Sequence, residues 1–235
     1  MPASALLPLT LGLWRSGNGA ASPLRAPTSK QKAHVLARDS STCRCCGFTS
    51  AQFQSVLPGK GLLSGTEDTF VTLCPFCALC LMLDRVGFMG AGTLIWLPEM
   101  SQADLHHVLR AIYVARLPGT PPAVAEAAGR ALEALQARRT EAKKRLGSDD
   151  PFVLATVFQE ELSEDDYAAR GPKIEGIRLL LQDKWWVRGP GGVVDQFPAM
   201  AAFWRSPEGP YAKVPTDSWV ALFERVTAEE SPTRH

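Results

Sequence analysis

Histidine is scarce in this sequence, and so is net charge. Only four histidines occur, and none lies between Cys43 and Cys80. Chemistry that needs an imidazole base in that stretch has no residue to supply it. The 25 basic and 24 acidic side chains leave a formal charge of +1, so the basic excess of a dedicated nucleic-acid binder is missing. No apolar run reaches the length that crosses a bilayer. No P-loop is present, which excludes nucleotide hydrolysis by that route. Internal repeats are absent. The opening stretch MPASALLPLTLGLWR has no positive n-region, and Pro8 breaks its apolar run. It reads as a flexible leader followed by a strand, not as a signal peptide. The expectation is a cytoplasmic protein with reduced thiols. The chain length suits one domain, or one domain with an appendage. Its hydrophobic share of 46% supplies a substantial core.

Cysteine is concentrated. All six cysteines fall within residues 42–84, TCRCCGFTSAQFQSVLPGKGLLSGTEDTFVTLCPFCALCLMLD. Cys43 and Cys46 form one C-x2-C pair, Cys74 and Cys77 another, and Cys80 extends the second to C-x2-C-x2-C. A C-x2-C step lets two thiolates on one tight turn reach the same ion, and two such turns complete a tetrahedron. The pattern reads as a structural zinc site with Cys43, Cys46, Cys74 and Cys77 as ligands. Cys45 and Cys80 read as packed thiols, with Cys80 the alternative should one ligand be replaced. Disulfides would need an oxidising compartment. An iron–sulfur cluster is suggested by the spacing of Cys74, Cys77 and Cys80, but Pro75 falls inside the run, where that pattern wants its proline after a fourth cysteine. Free core thiols account for one or two cysteines, not for two pairs at ligand spacing.

In chain order, residues 10–15 read as a strand and residues 20–28 as a loop. Ser29 is placed to cap a helix over residues 30–38. The connection between the cysteine pairs is loop-rich, with Gly47, Pro58, Gly59, Gly61 and Gly65. Phe70 to Leu73 is β-rich and delivers Cys74. A short helix is expected from Cys77, and TLIWL, residues 93–97, reads as a buried strand. Ser101 caps a helix whose apolar face is Leu105, Val108, Leu109 and Ile112. His34, His106 and His107 read as packed or solvated side chains, and the last two as a polar helix edge. One long helix is expected over residues 122–146. Its basic end, Arg138, Arg139, Lys143, Lys144 and Arg145, reads as cations complementing a helix C-terminus in preference to a nucleic-acid patch. A helix follows from Pro151 to about Leu162, then a hairpin between residues 184–188 and 193–197, and a helix over residues 197–204. Trp219, Leu222, Phe223 and Val226 share one face of an amphipathic helix.

Two cysteine knuckles around a loop and a strand, preceded by Arg38-Asp39, resemble the HNH or ββα-metal scaffold. In HNH nucleases a histidine between the knuckles activates water and another binds a catalytic metal. Here that histidine is missing, and Glu67 and Asp68 are the only acids between the knuckles. Four thiolates would also close the ion's coordination. The scaffold is therefore expected without its reaction. A more specific resemblance lies in FVTLCPFCALC, residues 70–80, with GAGTLIWLPEMSQADL, residues 90–105, and with Cys46-Gly47-Phe48. These stretches resemble the DotN (IcmJ) family of type IVB (Dot/Icm) secretion systems.

The resemblance implies a non-enzymatic, zinc-binding subunit of the coupling complex. Its partners would be the coupling ATPase and other coupling-complex subunits. It would lie in the cytoplasm, peripheral to the inner membrane, and support recruitment of effector substrates. The resulting expectation is an α+β fold with an HNH-like core of short strands surrounded by several α-helices. A DotN/IcmJ-like zinc-binding domain would span residues 1–204, with its HNH-like core over about 29–100 and a helical part over about 101–204. A C-terminal extension would follow at residues 205–235. The competing reading is an HNH-derived nucleic-acid-binding protein or nuclease.

Replacing one ligand tests the metal reading directly. Cys43→Ser or Cys74→Ser is expected to lose bound zinc and to lower solubility. Elemental analysis of purified protein checks it, and iron with visible absorbance would point to a cluster instead.

Overall fold

A computed structural model describes residues 6–13, 27–59, 70–189 and 192–219. Short strands pair in twos among helices, an α+β arrangement. The order is α1 (Ser29–Arg38), β1 (Ser55–Pro58), β2 (Phe70–Leu73), α2 (Pro75–Cys80), α3 (Leu83–Phe88), β3 (Gly92–Trp96), α4 (Gln102–Ala115) and α5 (Pro122–Ala137). There follow α6 (Arg139–Leu146), α7 (Pro151–Glu160), α8 (Glu164–Ala168), α9 (Arg170–Lys173), β4 (Ile177–Leu181), β5 (Trp186–Gly189), β6 (Gly192–Asp195) and α10 (Phe197–Arg205). All pairings are antiparallel: β1 with β2, β3 with β4, and β5 with β6.

The β3–β4 pair is the central ladder, and both of its edges are used. On the β4 side, Gln102 at the start of α4 bonds the Leu179 backbone twice, accepting from its N–H at 2.8 Å and donating to its C=O at 3.0 Å. On the β3 side, Leu94 donates to the Asp149 carbonyl and Trp96 to that of Arg138. No strand is needed at either edge, because side chains and loop carbonyls satisfy the backbone groups there.

Several elements follow the sequence pattern closely. Ser101 accepts from the Asp104 N–H, and Asp150 caps α7 with Pro151 in the first turn. The β5–β6 hairpin and α10, with Pro198 in its first turn, lie where expected. Its turn residues 190 and 191 lie outside the described residues.

Other elements differ. The cap of α1 is Thr28, paired with Gln31 in a capping box, and not Ser29. The expected long helix divides at Arg138 into α5 and α6, which lets the Arg138 carbonyl serve the β3 edge. Ser163 caps the additional helix α8. The connection expected to be irregular contains β1. Residues 10–13 form no regular strand. They are held by Gly12, which donates to the Cys80 carbonyl while its own carbonyl accepts from Leu83. Trp14 and Arg15, like Glu67 and Asp68, lie outside the described residues.

The main hydrophobic cluster runs from Leu11 through Trp204 and draws on α2, α3, β3, α4, β4 and α10. Tyr211 and Trp219 pack against it, with the Trp219 indole N–H donating to the Val214 carbonyl. The remaining residues of the expected amphipathic face, Leu222, Phe223 and Val226, lie outside the described residues.

Helices α3 and α7 meet at a glycine. A Cβ on Gly87 would sit 2.4 Å from the Phe152 backbone nitrogen. Gly87→Ala is therefore expected to destabilise the fold by about 1–3 kcal/mol. In contrast, Gly129 within α5 has open space around it, and Gly129→Ala should stabilise by about 0.5–1 kcal/mol. Denaturant melts of the two variants check both signs.

Candidate metal centre

The first cysteine turn is shaped by Gly47. Its φ of 73° lies in the left-handed region that glycine adopts at little cost. That bend lets the Gly47 N–H donate to the Cys43 carbonyl at 2.9 Å, while the Cys43 N–H donates to the Phe48 carbonyl. The second turn is the start of α2. Cys74 is its N-cap, Pro75 occupies the first turn, and the Cys77 N–H donates to the Cys74 sulfur at 3.4 Å.

Side chains fasten the two turns to each other. The Asp39 carboxylate accepts from Arg38 at 2.9 Å and from the Thr72 N–H of β2 at 3.0 Å. Arg38 also donates to the Phe70 carbonyl, and the Arg44 N–H to that of Thr72. Burial opposes ionisation of Asp39, yet the bonds from Arg38 and Thr72 outweigh it and hold the carboxyl below its usual range. The buried Gln54 amide donates to the carbonyls of Ser41 and Phe48.

The result is convergence. The sulfurs of Cys43, Cys46, Cys74 and Cys77 all lie within 4.8 Å of one another, and all four residues are buried. The Cys46 and Cys74 sulfurs are 3.6 Å apart. A disulfide would bring them to about 2.05 Å. A tetrahedron with metal–sulfur bonds of about 2.3 Å would set them about 3.8 Å apart. The donor set and its spacing fit one tetrahedral ion of the zinc class. Cys45 and Cys80 stand outside this group. Burial pushes the Cys45 thiol up to about 12 and raises that of Cys80 as well, which suits packed, protonated thiols.

The sequence pattern did not disclose what lies above the sulfurs. Helix α4 presents Gln102, His106 and Arg110 at successive turns toward the cysteines, and all three are buried. Arg110, 0% exposed, donates to the Cys74 sulfur at 3.5 Å and to the Cys46 sulfur at 3.6 Å. Its guanidinium stacks over Phe48, 4.0 Å from the ring centroid.

His106 is not a polar helix edge. It is fully buried, with Nδ1 3.3 Å from the Cys77 sulfur and Nε2 3.5 Å from that of Cys80. Burial first, and Arg110 second, push its pKa down to about 3, so the ring is neutral. The Gln102 amide fixes the tautomer. Its oxygen accepts from Leu179, so its nitrogen faces His106 Nε2 at 2.9 Å. Nε2 then accepts, and the proton sits on Nδ1, aimed at Cys77.

The exposed neighbour His107 donates from Nε2 to the Cys46 carbonyl at 2.7 Å. His34 takes no part in the centre. The i, i+4, i+8 recurrence of Gln102, His106 and Arg110 beside the Leu105–Leu109 face was the available signal, since one helix face then carries both sets.

Three arginines of the basic stretch after Ala137 pair within the chain. Arg138 pairs with Glu99 at 2.6 Å, Arg139 with Asp149 at 2.8 Å, and Arg145 with Glu141 at 3.0 Å. Arg145 also lies 3.7 Å from the centroid of Trp96.

No protein-family model matches the chain. A curated relative, the type 4 apparatus protein DotN of Legionella pneumophila, is 34% identical over 107 residues. The match covers 44% of this chain and 49% of the relative, about half of its length. Over those 107 residues the chain is similar to DotN, which supports its resemblance to the DotN (IcmJ) family.

Proposed function

We propose that this chain is a non-enzymatic, zinc-stabilised adaptor subunit of a type IV secretion coupling complex of the Dot/Icm kind. In this reading it binds the coupling ATPase and other subunits, supports effector recruitment, and works in the cytoplasm at the inner membrane. The secretion part rests on the likeness to DotN, and one observation carries the zinc-stabilised part: the four buried sulfurs are supplied by the chain itself and lie within reach of a single ion. An ion so held has no open position for substrate or water, and its contribution is to folding.

Two further observations support an adaptor. Phe88 is 86% exposed at the end of α3, and Phe152, Val153 and Val157 are exposed on α7, which packs on α3. Apolar area of this kind suits protein contact. No helix of the described residues is long and apolar enough to cross a membrane, so association with one would come through partners.

A second reading draws on the order β1, β2, α2, a ββα succession around the cysteines. It would make the chain an HNH-derived nucleic-acid binder or nuclease. The ion pairs of Arg138, Arg139 and Arg145 weigh against it, because paired cations release fewer counterions from a phosphate backbone.

Co-expression with the coupling ATPase of the same organism, followed by affinity capture, is expected to recover the two as one complex. A chain that stays a partner-free monomer while that ATPase is present would overturn the adaptor reading. Salt-dependent DNA binding together with Mg²⁺-dependent cleavage, lost in a site variant, would establish the second.

A further inference from the structure

We infer that α4 is the electrostatic half of the metal centre, with Arg110 and His106 acting as positioning residues that hold the charge of the four sulfurs. The inference rests on the reading that those sulfurs bind a divalent ion. Four thiolates around such an ion leave roughly two net negative charges in a site without water, and buried charge of that kind is costly unless paired.

Arg110 answers it. Its two terminal nitrogens reach sulfurs from different turns, Cys74 of the second and Cys46 of the first. A single planar fork therefore ties both halves of the centre together. Among the described residues no carboxylate pairs with Arg110, and its Nε has no partner. Its burial is hard to account for without negative charge on the sulfurs. Phe48 and Phe76 flank the guanidinium at 4.0 and 5.7 Å and shut out water.

His106 serves a third sulfur. Its Nδ1–H points at Cys77, and Gln102 keeps that proton on Nδ1 while itself clamped to the Leu179 backbone. The line from β4 through Gln102 and His106 to Cys77 fixes the donor without loop flexibility. Outer hydrogen bonds of this sort orient metal ligands and tune the metal they hold.

The test compares purified wild type with Arg110→Met, Arg110→Lys, His106→Leu and His106→Asn. Three readouts are taken: zinc content, the rate of zinc transfer to a chromogenic chelator, and the sulfur-to-cobalt charge-transfer band after cobalt(II) substitution. The expected wild type binds about one ion and releases it slowly. Arg110→Met and His106→Leu should release it roughly 10- to 100-fold faster. Their cobalt bands should move to lower energy, because a thiolate that loses its donor gives up electrons more readily.

Arg110→Lys keeps the charge but not the fork and should fall between. His106→Asn can place an N–H where Nδ1 stood and should restore much of the wild-type rate. If Arg110→Met cannot be recovered folded, Arg110→Lys carries the comparison, and a release rate and band equal to wild type in it overturn the inference. Unchanged rate and band in Arg110→Met also overturn it, while leaving the metal reading intact. A wild type that binds no zinc and no cobalt overturns both.

Discussion

When a divalent ion sits among Cys43, Cys46, Cys74 and Cys77, negative charge collects where no water can screen it. The surrounding structure is arranged around that charge. The first turn supplies two sulfurs because Gly47 bends the chain back. The second supplies two more because α2 starts at Cys74. Helix α4 then lies over both with a guanidinium and an imidazole N–H directed at the sulfurs. Aromatic rings close the remaining directions. Phe76 meets both His106 and Trp204 edge-on, and Phe48 meets Trp204 likewise. The apolar core and the polar centre are thus one packing problem, with α10 fixed by the rings that seal the sulfurs.

An ion in this position would also compensate for modest secondary structure. Among the described residues each sheet has two strands, and the longest strands have five residues. Two-stranded pairs are marginal alone. Structural zinc in small domains is worth about 10–16 kcal/mol of apparent binding energy, enough to hold such pieces together. Asp39, which spans the approach to the first turn and β2, and Gln54, which joins β1 to that turn, show how neighbouring segments are drawn to the staple.

What was legible in the residues was local. Cysteine spacing identifies the four sulfurs because two residues between thiols is a property of one turn. Caps such as Ser101 and Asp150 are legible for the same reason. Pairing across the chain is not. Strand β3 finds its partner 80-odd residues later in β4, and neither strand's composition names the other. The break at Arg138 is equally hidden, since alanine-rich helical sequence continues through it and the carbonyl is spent on a strand edge. His106 was misplaced, and Arg110 passed over, for a further reason. Polar residues on an amphipathic helix are assigned to solvent by default, and only knowledge of a buried counter-charge reverses that. The signal was present in the four-residue spacing of Gln102, His106 and Arg110, but its meaning depends on what α4 packs against.

Several arginines are engaged within the chain: Arg110 on sulfur, Arg138, Arg139 and Arg145 on carboxylates, and Arg170 on the Leu11 carbonyl and the Tyr167 ring. With a formal charge of +1, the chain has little net positive field to steer a polyanion. It still presents apolar side chains at the junction of α3 and α7. A near-neutral chain with exposed aromatic area at that junction suits contact with other proteins, and an ion held by the four sulfurs would fix shape without an open coordination position.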